Sequence, residues 1–506
     1  MIRARKFIYF LFLTSVLYGG PGRLIPPSKD GIDYRPQGLD QHYTTSSGIF
    51  ILHYTNTGSD SVPQSYTLNE IHPDYILYAG QFLDRGYRFL TDTLALPQPP
   101  VDDIKNPEID IYFRKLPSGT YGQTTAEMSK ILPNRPKAYT AFSEIHHTLQ
   151  GPGFYTQGID ALKVTCIHEL FHVFQVGIAI WNLQEDMWFY ETSATWIEEI
   201  AYPTVNDYFQ YVESYVSTWG DPIYTYIYDN VTWLLYLDAW SQRKAVSNIW
   251  TSIATQPVWT SITAYLTETS GSHGWPKHLA AWGIEHLYAD YLPELSLFDD
   301  APEYPPIPFP EGTFKSYTYL DSFSVITYAE PYSSSFYKIL SITTPALRLR
   351  ILSPGKIWGK AWVAGSHTKA IDLSSNFVTL QGLNHPWDLL IALGTDSAYA
   401  LDEPLRITID IRKGETSLIA LYPNPIENSQ SLTLIYHVKE DLHEGTLIIY
   451  DLLGREIMHI SLSPEEMVAG IHFLTLNVSQ IMASGIYFLV LTLEDKTFPL
   501  KFTLLQ

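Results

Sequence analysis

VTCIHELFHVFQVG, residues 164–177, sets two histidines four positions apart with a glutamate directly after the first. On a helix, residues four apart lie one turn above one another on the same side. His168 and His172 can therefore converge on one cation, with Glu169 pointing beside them. The preceding residues, 161–167, are apolar enough to bury such a helix, and two imidazoles and a carboxylate are costly to bury without a task. A chance HExxH arises in on the order of a few per cent of chains of this size. Zinc also demands a third protein ligand, so the rest of the sequence has to supply one.

The stretch WFYETSATWIEEIAYPTVNDY, residues 188–208, offers Glu191, with eighteen residues between it and His172. Trp188, Ala194 and Ile197, with Ala201 beyond, follow a helical spacing. A second helix over about Met187 to Ile200, joined to the first by a loop near Trp181 to Gln184, brings Glu191 opposite the histidines. His168, His172 and Glu191 then form a His₂Glu set whose fourth position is open to water, the catalytic and not the closed structural arrangement. Glu169 would take the proton of the water during attack and hand it to a leaving amine. Glu198 or Thr195 are candidates to hold the outer N–H of a ligating histidine, although Glu198 and Glu199 read first as solvated helix surface. For a developing oxyanion the candidate donor is Tyr228, in YIYDNVTWLLYLDAW, with Tyr226 its rival and His273, His278 and His286 behind.

Composition narrows the setting. The 506 residues suffice for about three domains. A net charge of -21, from 53 acidic against 32 basic residues, speaks against a nucleic-acid binder, which needs a basic surface. Cys166 is the only cysteine, which excludes intrachain disulfides and cysteine-rich zinc knuckles. Stability must come from packing, for which 13 Trp, 36 Tyr and 23 Phe are available. Residues 1–22 carry Arg3, Arg5 and Lys6 before an apolar run from Phe7 to Tyr18 and read as a signal peptide. That run is too short to span a bilayer, and no later one is long enough, so no stable membrane span is expected.

Along the chain, GIFILHYT from Gly48 and EIDIYFRKL from Glu108 read as strands, and residues 70–96 read as a helix with Pro73 near its start. After YGQT, residues 121–124, the sequence looks irregular as far as Gly153; helical patterning then runs from about 160 to 300. The proline-rich stretch 299–312 breaks it. Short alternating runs between 313 and 412 predict one antiparallel β-sandwich, and those between 420 and 506 a second. Asp102, Asp103 and Asp110 form a candidate cation site, against the reading of acidic groups solvated at a turn.

These motifs also carry resemblances. The pattern His168-Glu169-x-x-His172 followed by Glu191 resembles the gluzincin metallopeptidases, in which the second glutamate is the third zinc ligand. VTCIHELFHVFQVG, WFYETSATWIEEIAYPTVNDY and the downstream YIYDNVTWLLYLDAW together look like a family of secreted bacterial zinc metalloproteases, over about residues 40–300. That family also has a strand like HYTTSSGIFILHYT and a Tyr-Gly element, here Tyr121-Gly122. One departure is that Tyr228 is followed by Asp229, where the family tends to have glycine. LYPNPIENSQSLTL, LIIYDLLGREI and ASGIYFLVLTLEDKTFPLKFTLLQ resemble the C-terminal sorting domain of type IX secretion cargo. The resemblances imply a multidomain α+β chain with a mostly helical gluzincin-like catalytic unit and a small sheet at 40–300, then two β-sandwich modules. They imply Zn²⁺ as cofactor, a protein or peptide substrate, and the type IX machinery as partner. They also imply Sec export and passage across the outer membrane of a Gram-negative bacterium.

Rival readings stay open at this stage. An aminopeptidase would need an acidic pair and a Gly-rich strand ahead of His168, and no convincing counterpart is visible. A non-catalytic adhesin or glycan-binding protein on a decayed peptidase scaffold would use the aromatic surplus for ligand stacking. A purely structural zinc site would need a fourth ligand, for which His146 or His147 are the candidates, although EIHHTLQGPG reads better as a substrate-side loop.

Overall fold

The computed structural model describes residues 24–27, 35–101, 107–309, 322–342, 346–352, 357–381, 387–396, 405–413, 416–427, 431–478 and 483–505. The expected signal peptide lies outside them, as do Asp102 and Asp103. The chain divides into two compact units, Met1–Pro308 and Phe309–Gln506. The first is mixed α/β and the second a set of antiparallel sheets.

The first unit is built on a six-stranded sheet. Its strands are β1 (Leu24–Ile25), β2 (Gln41–Thr44), β3 (Phe50–Tyr54), β4 (Ile109–Arg114), β5 (Gly122–Leu132) and β6 (Arg135–His146). Their order is β1-β5-β6-β4-β3-β2. The middle strands β3, β4 and β6 run parallel, β5 returns antiparallel against β6, and β1 lies parallel to β5 at the outer edge. Alternation drives β3, whose Phe50, Leu52 and Tyr54 are buried. In β4 the four residues Asp110 to Phe113 are all buried, as expected of a strand enclosed on both faces. Asp110 accepts from Arg35 at 2.7 Å, and its other carboxylate oxygen lies 2.6 Å from His53 Nε2.

The β5–β6 hairpin occupies the stretch that the sequence presents as irregular. Its inward face is formed by Gly122, Thr124 and Ala126, small or polar residues that give no β-branched or aromatic alternation. Asn134 takes a φ of 61° in the connecting turn, a conformation asparagine tolerates better than most residues.

Eight helices follow the sheet or cross it: α1 (Asp74–Arg88), α2 (Gly158–Ile178), α3 (Leu183–Ala201), α4 (Phe209–Thr218), α5 (Val231–Trp240), α6 (Ala245–Ile253), α7 (Val258–Ser270) and α8 (Gly274–Tyr291). Asp74 starts α1 by accepting from the backbone N–H of Thr67 and Leu68, at 2.9 and 2.8 Å. Helix α2 lies against β5 and β6 on one side and against α1, α3 and α6 on the others. From Val164 onward every residue of it is buried, which explains an apolar character all round the helix.

Many of the aromatic residues are core. Trp233 and Trp275 stack at 5.6 Å, with Trp188 and Trp259 extending the cluster. Trp250 packs among Phe171, Phe189 and Tyr190. Each such ring removes roughly 150–250 Å² from water, so these clusters stabilise the helical layer.

In the second unit, a four-stranded sheet (371–373, 357–363, 387–395, 334–342) and another (378–381, 346–352, 405–413, 322–329) enclose one buried cluster that includes Leu349, Leu389, Ile391 and Ile409. A three-stranded sheet (417–422, 431–438, 470–477) and a five-stranded one (426–427, 496–505, 485–493, 445–450, 456–461) enclose a second, around Leu434, Tyr436, Leu447 and Leu489.

Candidate metal centre

Helix α2 delivers His168 and His172 one turn apart, and α3, packed against α2, delivers Glu191. The two Nε2 atoms lie 3.1 Å apart, and Glu191 Oε2 is 3.2 Å from that of His172 and 3.5 Å from that of His168. One ligand atom from each residue falls within 4.8 Å of the others, and all three side chains are buried.

The outer nitrogens determine what these atoms are. Gln175 Nε2 donates to the Tyr190 carbonyl at 2.9 Å, which fixes its amide orientation and turns Oε1 toward His172 Nδ1 at 2.7 Å. His172 must then carry its proton on Nδ1, leaving a lone pair on Nε2. His168 Nδ1 lies 2.5 Å from Glu198 Oε1, and an Nδ1–H donated to that oxygen leaves Nε2 as an acceptor. Two imidazole lone pairs and a carboxylate oxygen thus face one point, a donor set that suits a zinc-type cation.

Electrostatics agree. Burial pushes His168 down to about 4, so its ring is neutral. Burial opposes ionisation of Glu191, yet His172 and the imidazole contacts outweigh it and lower the carboxyl to about 2. Burial likewise resists charging of His172, while Glu191 draws a proton toward it; a cation at the same point would replace that proton.

Glu169 is buried beside this set. Its Oε2 accepts from the Thr124 hydroxyl at 2.6 Å, whereas its Oε1 has no hydrogen-bond partner among the described residues. Burial pushes its carboxyl up to about 8. Gly122 gives it room: a Cβ there would lie 2.6 Å from Glu169 Oε1. Thr124, Gln175 and the spatial role of Gly122 were not assigned from sequence. Gln175 carried a signal, because it lies three residues after His172 on the same helix face.

Glu198 differs from its reading as solvated surface. It is buried, and burial with Asp207, Glu169 and Glu199 nearby pushes its carboxyl well up. Thr195 points elsewhere, its hydroxyl donating to the Glu191 carbonyl at 3.0 Å. Tyr228 is half-buried just before α5 and stacks on Tyr211 at 5.2 Å. Tyr211 in turn has a buried hydroxyl with no hydrogen-bond partner and feels Asp207, Tyr228 and Glu198. Tyr226 donates to the Thr218 carbonyl at 2.6 Å. His278 bonds with Tyr236 and Ser270, and His286 with Thr232. His146 and His147 end β6 and bond with the backbone of Thr148, Leu149 and Ser61, outside the three-ligand group.

An unanticipated neighbour completes the site. The backbone N–H of Leu24, in β1, donates to Glu191 Oε1 at 2.8 Å, and β1 pairs with β5 through Leu24 opposite Thr124.

Comparison with known proteins adds an address. Residues 420–503 match the family described as Secretion system C-terminal sorting domain. The chain ends in a sorting domain. This implies a secreted or surface protein of a Gram-negative, Bacteroidetes-type bacterium. Among the described residues no helix is long and apolar enough to cross a membrane. No curated protein matches the chain. Solved structures that match include β-glucuronidases of Ruminococcus gnavus (9% identity, 34% of this chain and 35% of that one, TM-score 0.16) and Parabacteroides merdae (14%, 34% and 28%, 0.16). The chain spans about a third of the length of these enzymes. A likeness this slight says nothing of activity.

Proposed function

We propose that the first unit is a zinc-dependent hydrolase of peptide bonds, exported through the type IX route by its C-terminal domain. The observation that carries the reading is the unpartnered Oε1 of Glu169, buried beside three convergent metal-ligand atoms while Thr124 holds the other oxygen. His168, His172 and Glu191 would hold the ion. When bound, such a cation polarises a carbonyl and acidifies water. Glu169 then takes the proton of the attacking water on Oε1 and passes it to the leaving nitrogen; burial pushes its carboxyl up, and beside a cation it would be drawn back toward the ionised form that accepts. Glu198 and Gln175 hold the imidazoles in the orientation and tautomer that ligation needs. For the oxyanion, the stacked pair Tyr211 and Tyr228 is the candidate donor, tested by Tyr228→Phe and Tyr211→Phe. A peptide substrate is favoured because extended backbone already lies along β5 within hydrogen-bonding reach of Glu191.

The test is zinc content and cleavage of a fluorogenic peptide library by the secreted chain and by Glu169→Gln. Wild type should carry about one zinc per chain and turn over. The variant should keep its metal and lose on the order of a hundredfold or more in kcat. Undiminished turnover in the variant would remove Glu169 from its role.

A further inference from the structure

Strand β1 is a poor structural element by itself: it is two residues long and is followed by Pro26 and Pro27, which have no N–H to give to a sheet. Yet it sits on the edge of β5, the strand that holds Gly122 and Thr124 against Glu169. Leu24 is 1% exposed, and its N–H bonds the free oxygen of a metal-ligating carboxylate. Pro26 is exposed, so the segment leaves the site directly into solvent. Arg35, the next described residue, is clamped by Asp110 and Glu127 at 2.7 and 2.8 Å.

We propose that Leu24–Pro27 is an inhibitory strap, an extended piece of the chain's own backbone that fills the substrate groove along β5, with Leu24 in a pocket that otherwise takes an aliphatic side chain of the peptide substrate. The proposal rests on the hydrolase reading given above and adds its regulation.

The polarity of the segment explains why it blocks and is not consumed. A peptide to be hydrolysed must turn a carbonyl toward the cation, whereas Leu24 turns an N–H toward Glu191. The two prolines that follow hold the segment extended and stiff. Because Arg35 anchors the chain a few residues on, the strap is tethered at an effective concentration on the order of millimolar. An intrinsically weak occupant is then enough to keep most of the groove closed, and cutting the tether is enough to open it.

The experiment uses the full chain with a site-specific protease site replacing residues 28–34, compared before and after cutting and removal of the released peptide by gel filtration. Two readouts are taken. One is turnover of a fluorogenic peptide with an aliphatic residue; the other is anisotropy of a labelled form of that peptide on Glu169→Gln, which reads access without chemistry. Both should rise roughly tenfold on cutting, and a synthetic peptide of residues 23–27 should reverse the rise competitively. Leu24→Pro, which deletes the N–H donor to Glu191 and replaces the buried leucine side chain, should raise both in the uncut chain. If turnover is absent in every form while binding rises on cutting, the hydrolase reading fails and the strap stands. If cut, uncut and Leu24→Pro chains bind and turn over alike, the strap is overturned and the hydrolase reading is untouched.

Discussion

Gly122→Ala tests how closely the sheet supports the chemistry. A Cβ at this position would lie 2.6 Å from Oε1, 2.7 Å from Cγ and 2.9 Å from Cδ of Glu169. Carbon atoms in contact prefer about 3.5 Å or more, so the carboxylate or the strand must yield by roughly 0.8 Å. Displacement on that scale costs on the order of 100-fold in rate, and overpacking costs about 1–3 kcal/mol in stability. The three atoms nearest the new methyl group all belong to Glu169 and none to His168, His172 or Glu191, so zinc content should be unchanged. The assay is a double-mutant cycle with Glu169→Ala, read by denaturant unfolding, together with kcat on a peptide substrate. In the Glu169→Ala background the clash partner is gone, and Gly122→Ala should then cost little stability. Equal destabilisation in both backgrounds, or wild-type kcat in the single variant, would refute the reasoning.

Gln175→Leu removes the acceptor that fixes the His172 tautomer; zinc affinity measured by chelator competition should fall about 10- to 100-fold, with the fold retained. Asp186 sits at the start of α3 with its carboxyl pushed up to about 6, chiefly by burial. Its ionised form is therefore disfavoured in the folded state, and stability declines as pH rises from the unfolded value near 4 through about 6. Asp186→Asn should match wild type in thermal unfolding below that window and exceed it above pH 7, and a pH-independent difference would contradict this origin.

The metal helix was legible because its information is local. A spacing of four on a helix places two side chains together whatever the rest of the chain does, and Glu191 needed only a second helix packed on the first. What the sequence concealed depends on distant partners. Leu24 reads as part of a leader because a two-residue strand has no periodicity, and its partner Thr124 lies far along the chain. Glu198 and Glu199 form an acidic pair near a helix end, which reads as surface; nothing local says that Asp207 and Tyr211, from beyond that helix, lie close enough to Glu198 to feel its charge. The β5–β6 hairpin was hidden for another reason: residues facing Glu169 must be small or hydroxylated, and that requirement erases the apolar alternation by which a strand is recognised.

The same crowding of buried acids yields a prediction about metal removal. Glu169, Glu191, Glu198 and Asp207 are all buried around the histidine pair, and three of the four are pushed toward protonation. Glu191 alone is held ionised, and the point it shares with the imidazoles presents acceptors only. Without a cation that point must recruit a proton, which is the tendency seen at His172. A bound ion supplies the missing positive charge in the folded state and has no preformed site in the unfolded one, so it stabilises by mass action, about 2.7 kcal/mol at a hundredfold excess over Kd. Chelation should accordingly lower the unfolding temperature of the wild type by several degrees, roughly 2–4 °C for each kcal/mol in a unit of this size. His168→Ala/His172→Ala, which lacks two of the ligands, should show no response to the chelator. Identical melting of the wild type with and without chelator, in protein whose metal content has been measured to change, would mean that the three side chains converge for packing alone.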